Sequence, residues 1–117
     1  MNINDIAYAA FANACDKGFH SNADGTAKDR NLGEALCLIH SEVSEAMEEL
    51  RVNDDPSHRY YRAEDGKPEG FVVELADVII RIGDLVGGLN LVPDLEEAIK
   101  EKMAFNKTRP RMHGKTC

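Results

Sequence analysis

The sequence has no tryptophan, few aromatic residues (6%), three cysteines and a shortage of positive charge: 14 Lys+Arg stand against 21 Asp+Glu in 117 residues. A formal net charge of −7 and a pI near 5.0 argue against a nucleic-acid backbone binder, whose footprint is basic. The same acidity disfavours adsorption to anionic membranes. No apolar run approaches the length of a membrane span, and the first residues, Met-Asn-Ile-Asn-Asp, lack the basic flank of a signal peptide. Cys15, Cys37 and Cys117 are odd in number and form no Cys-x-x-Cys pair, which suggests neither a disulfide framework nor a thiolate zinc site. No His follows any Glu by three positions, so the Glu-x-x-His element of a diiron bundle is missing. Internal repeats and low-complexity tracts are absent too. What is left is a single domain spanning residues 1–117, expected to be cytoplasmic, with 43% apolar residues to build a core.

Four segments carry helical periodicity, and none shows sustained period-two alternation. The first runs from Ile3 to about Phe19, with Ile3, Ile6, Ala10 and Ala14 on one face. A polar loop follows from His20 to Arg30. The second helix opens at Asn31, an N-cap with Glu34 three residues on, and continues to about Arg51. Its apolar stripe is Leu32, Leu36, Ile39, Val43, Met47 and Leu50. Residues 53–70 are charged and turn-rich. The third helix starts near Glu69 and stops at Gly87-Gly88, and Pro93 and Asp94 open the fourth. The tail from Lys107 reads as irregular. These signals predict an all-α, four-helix, bundle-like fold.

Two pairs of carboxylates stand out by placement rather than by spacing. Acids three apart occur four times (Glu42/Glu45, Glu45/Glu48, Glu74/Asp77, Asp94/Glu97), as often as chance placement of 21 acids gives. A solvated acidic face is therefore the plain reading. On helical wheels, however, Glu42 and Glu45 lie at about −120° and 180° from Leu36, and Glu74 and Asp77 at about −100° and −160° from Leu75. Each helix thus carries a carboxylate row along the same flank of its apolar stripe. Antiparallel packing sets the rows face to face, where like charges repel. No Lys lies three or four residues from any of the four, and Arg81 is the only base on that face. A divalent cation is the alternative remedy, and oxygen ligands select Mg²⁺ or Mn²⁺ before zinc or copper.

Glu42-Val-Ser-Glu45, then 28 residues, then Glu74-Leu-Ala-Asp77, resembles the Glu-x-x-Glu … Glu-x-x-Asp signature of the MazG-like all-α nucleoside triphosphate pyrophosphohydrolases. Arg30-Asn31-Leu32, Lys67-Pro68-Glu69-Gly70, Lys102-x-x-x-Asn106-x-x-Arg109-Pro110 and His113-Gly114 resemble the same branch in consistent order, over about residues 28–115. The resemblance implies a MazG-type fold and Mg²⁺-dependent hydrolysis of a (deoxy)nucleoside triphosphate at its α-phosphate to the monophosphate and pyrophosphate. It implies Mg²⁺ (or Mn²⁺) on Glu42, Glu45, Glu74 and Asp77. Glu45 is favoured as acceptor of the water's proton. Lys102, Asn106 and Arg109 are candidates for the β- and γ-phosphates, against a placement of Lys102 and Lys107 that merely suits the helix C-terminus. A homodimer or homotetramer formed through helix faces is expected, as is the absence of nucleic-acid and membrane partners. The alternatives are phosphoribosyl-ATP hydrolysis and a non-catalytic acidic helical binding module.

Other residues read as structural. Arg81 is expected to act as a counter-ion to Asp77, ahead of a phosphate contact, His40 to pack in the bundle or at a dimer interface, and Cys37 to fill a small core position. His58, Tyr60 and Tyr61 form either a loop anchor or an aromatic lid. Gly83, in mid-helix at a cost of about 1 kcal/mol relative to Ala, points to a close helix approach.

Overall fold

The computed structural model describes residues 1–114; Cys117 and the His113 side chain fall outside that description. The order of elements is α1 (Ile3–Asp16), α2 (Leu32–Val52), β1 (Arg59–Tyr61), β2 (Pro68–Gly70), α3 (Phe71–Gly88), α4 (Val92–Thr108) and a 3₁₀ turn at Arg111–Gly114. The chain is thus predominantly helical, with four α-helices among the described residues. No helix among them is long and apolar enough to cross a membrane.

Local chemistry sets the helix ends. Asn2 Oδ1 accepts from the Asp5 N–H at 2.9 Å while Asp5 accepts from the Asn2 N–H at 3.1 Å, a reciprocal cap that fixes α1. Asn31 caps α2 as its sequence position predicts, accepting from the Glu34 N–H at 3.0 Å. α1 stops at Asp16, earlier than the expected Phe19, because the chain turns through Gly18 at φ +81°. α3 begins two residues after the expected Glu69, since Glu69 is used in β2.

The hairpin is absent from the periodicity because each strand is only three residues long. Arg59 pairs with Gly70, Tyr60 with Glu69 and Tyr61 with Pro68, antiparallel. Its loop closes through Arg62 N–H to the Lys67 carbonyl at 2.9 Å, with Gly66 at φ +73°. Gly70, at φ +136°, enters α3 where a Cβ would lie 2.6 Å from the His58 carbonyl oxygen.

α3 is the central helix, flanked by α1 and α2, with α4 resting more lightly on α1 and α3. The α1–α3 seam is closed by glycine: a Cβ at Gly83 would meet Ala7 Cα at 2.9 Å, and one at Gly87 would meet Phe11 Cβ at 2.5 Å. The close approach expected of Gly83 is present. α2 runs antiparallel to α3, since Glu49 near the end of α2 meets Glu74 near the start of α3 while Glu42 pairs with Arg81 further along.

The expected burial of the α2 stripe is not found in the single chain. Leu32, Leu36, Val43 and Met47 are exposed, as are Val72, Leu75 and Ile79 on α3. The α2–α3 seam instead runs along the flank, where Ala46 and Glu42 are buried on α2 and Glu74 on α3, leaving the two apolar stripes uncovered. Ala7, Ala46 and Val92 are the buried apolar residues among those described. The radius of gyration of 17.1 Å exceeds the ~13 Å of a compact chain this long. Cys37, expected in the core, is exposed because it lies off the seam.

Candidate functional site

The α2–α3 seam brings three of the four singled-out carboxylates together. Carboxylate oxygens of Glu42, Glu45 and Glu74 lie within 4.8 Å of one another. Glu74 is only 4% exposed, and its carboxyl meets those of Glu42 and Glu45. Glu42 is buried too, while Glu45 opens to solvent. Asp77 falls outside this trio but lines the same cavity, one turn further along α3. Arg81 Nε donates to Glu42 Oε1 at 2.8 Å, so the counter-ion expected for Asp77 bonds instead to the carboxylate across the seam.

The electrostatics follow from burial and crowding. Burial, then the neighbouring Glu42 and Glu45, push the Glu74 carboxyl up to about 8. Burial works against the charge of Glu42, yet the Arg81 hydrogen bond, helped by Glu45 and Glu74, holds it below the usual carboxylate range. Glu45 is raised by its hydrogen bond to Glu42, by burial and by the Glu42 charge. Asp77 is raised by burial and then by the charge of Glu42, with Lys67 and Arg81 opposing. One proton shared among the three clustered acids therefore relieves part of the repulsion.

A second carboxylate group adjoins the first and shares Glu74. Glu49 and Glu69 place oxygens within 4.8 Å of it and of each other. The hairpin positions Glu69, whose cross-strand partner Tyr60 donates its hydroxyl to Glu49 at 3.0 Å. His58 stacks on Tyr60 with ring centroids 5.6 Å apart. Tyr60 thus serves as the loop anchor rather than a free lid. Sequence reasoning passed over Glu69 because the strand that presents it is invisible in the periodicity.

A cavity of about 690 Å³ opens beside the carboxylates, walled by α1, α2, α3 and the loop before α2. Glu42, Glu45, Asp77 and Lys67 line one part of it, and His20, Arg30 and Asp84 line another. Asp84 sits two turns beyond Asp77, a position legible on the helical wheel. Of its loop partners, Arg30 enters the sequence reading only as the first residue of Arg30-Asn31-Leu32, and His20 gave no signal beyond its place at the start of a polar loop.

Lys102, Asn106 and Arg109 do not line this cavity. They lie on or just after α4, where Lys102 and Arg109 each approach the Phe105 ring at 5.7 Å. His40 is exposed on α2. Comparison of the chain with protein-family models, with curated proteins and with solved structures finds no match in any of the three.

Proposed function

We propose that the protein is a MazG-type pyrophosphohydrolase that cleaves a nucleoside triphosphate to the monophosphate and pyrophosphate. The observation that supports this reading best is the buried Glu74 carboxyl, held within 4.8 Å of two more, Glu42 and Glu45, that line a ligand-sized cavity. An all-oxygen donor set of this kind fits Mg²⁺, or Mn²⁺ in its place. Glu42, Glu45 and Glu74 would hold the ion, with Asp77 at the cavity wall beside them. When bound, the ion supplies charge neutralisation for the triphosphate and acidifies a water.

The chain's own residues do the rest. Glu45 is solvent-open, which suits it to take the proton of the attacking water. The water oxygen bonds to the α-phosphorus, the bond from that phosphorus to the oxygen bridging to the β-phosphate breaks, and pyrophosphate leaves. Arg81 holds Glu42 ionised, and Lys67 offers a positive charge within the cavity. Lys102, Asn106 and Arg109, which lie off this cavity, would reach a triphosphate there from a second copy of the chain. The uncovered apolar stripes of α2 and α3 provide the face for such a homodimer or homotetramer.

The test is a panel of canonical and modified triphosphates with Mg²⁺, scored for pyrophosphate. Release of orthophosphate instead rejects attack at the α-phosphorus. Glu45→Gln and Asp77→Asn should abolish release while leaving helical content intact. Undiminished turnover in both variants rejects the assigned site, and no turnover of any triphosphate by the wild type favours the non-catalytic binding module.

A further inference from the structure

The cavity has a second set of polar lining residues beyond the carboxylates of Glu42, Glu45 and Asp77. Asp84 follows Asp77 by seven residues on the same face of α3, an axial separation of about 10 Å. Around it three side chains are locked together. Arg30 Nη1 donates to the carbonyls of Asp84 at 3.2 Å and Leu85 at 3.5 Å, serving carbonyls near the end of α3. Arg30 Nη2 lies 2.6 and 2.9 Å from the two ring nitrogens of His20. His20 Nε2 meets Asp84 Oδ1 at 2.7 Å. His20 Nε2 thus stands between the Asp84 carboxylate and the Arg30 guanidinium, and Asp84 Oδ1 is the oxygen that this contact occupies.

These bonds commit both nitrogens of His20 and both terminal nitrogens of Arg30, but only one oxygen of Asp84. Oδ2 of Asp84 has no partner among the described residues, and the side chain is 25% exposed on the cavity wall. It is an acceptor whose orientation is already fixed. Asn13, which lines the same cavity, offers both a donor and an acceptor and imposes no bias. Phe19, exposed and lining the cavity, presents a ring on which any base can stack.

We propose that Asp84 is a specificity-determining residue that selects nucleotides whose base carries an amino group, cytosine or adenine, over those with a carbonyl in its place, uracil or hypoxanthine. The inference rests on the pyrophosphohydrolase reading. An amino N–H pairs with the free carboxylate oxygen, whereas a carbonyl oxygen at that position sets two acceptors against each other and leaves both without a donor.

The experiment measures kcat/KM for dCTP against dUTP and for dATP against dITP, using the full chain with Mg²⁺. The expected result is a preference of about tenfold or more for the amino base in at least one pair. Asp84→Asn keeps an oxygen for His20 and puts an amide donor in place of the free acceptor, so that ratio should fall to unity or below. Phe19→Ala should raise KM for all four and leave the ratios unchanged. Ratios within threefold in both wild-type pairs, a preference for the oxo base, or an Asp84→Asn ratio equal to wild type each overturn the proposal. If Asp84→Asn does not fold, the wild-type ratios decide. Equal turnover of all four removes this inference alone; turnover of no triphosphate in the wider panel removes the pyrophosphohydrolase reading with it.

Discussion

Arg81 Nε lies 2.8 Å from Glu42 Oε1 across the α2–α3 seam, the sole ion pair joining those two helices among the described residues. It places one positive charge beside three clustered carboxylates. Arg81→Leu should therefore destabilise the chelated protein by about 1 kcal/mol, the Arg81 side chain being half exposed and its charge screened. Urea denaturation with and without Mg²⁺ checks this. The deficit should shrink once the cation is present, because a second source of positive charge then serves the same acids.

Stability should depend on pH in a direction set by Glu74. Its carboxyl is raised from 4.5 to about 8 in the folded chain. Between those values the folded chain holds a proton that the unfolded chain has released, so stability falls as pH rises through that interval. Glu45 and Asp77, also raised, act in the same direction, and Glu42, lowered, opposes them. Thermal melts in chelator should show a declining Tm from pH 5 to pH 8. Added Mg²⁺ should raise Tm more at pH 8 than at pH 5, since at the higher pH fewer protons compete for the same oxygens. A Tm that does not change between the two pH values contradicts the crowded-acid account.

Gly83→Ala should cost about 2 kcal/mol, because the 2.9 Å approach of Ala7 Cα leaves no room for a methyl group and outweighs the better helix propensity of alanine. Gly33→Ala, whose Cβ would meet Asn31 Oδ1 at an ordinary 3.4 Å, is the control and should be neutral or stabilising. Urea midpoints with unchanged slopes read out both.

Light scattering of the wild type should give a multiple of 12.9 kDa at micromolar concentration. Val43→Asp combined with Ile79→Asp, on the uncovered α2 and α3 stripes and away from the carboxylate trio, should return the mass to that of one chain. A wild type that is already monomeric removes the shared-cavity reading of Lys102, Asn106 and Arg109.

The four helices were legible because each carries an amphipathic stripe and a recognisable start or stop, such as Asn31 or Gly87-Gly88. What the stripes did not show is which neighbour they meet. On α2, periodicity marked Leu36, Val43 and Met47 as core, yet the seam with α3 runs through Ala46 and Glu42, because small side chains let two helices approach while the larger ones stay uncovered. Glu42, Glu45 and Glu74 came together as antiparallel rows on matching flanks require. Glu69 and the His20–Arg30–Asp84 linkage depend on a short hairpin and a loop, whose geometry comes from backbone pairing and turns rather than from periodicity.

The hairpin has a consequence for how this chain can vary in length. Tyr60 latches onto Glu49 through its hydroxyl, and its cross-strand partner Glu69 reaches the same acids. Adjacent strand positions point to opposite faces, so shifting the β1–β2 register by one residue would turn Glu69 outward while leaving the Asn2 and Asn31 caps untouched. The segment between the two long helices thus works as a clasp of fixed gauge: natural insertions are tolerable before Ser57, where the chain only loops, and not within the ribbon itself.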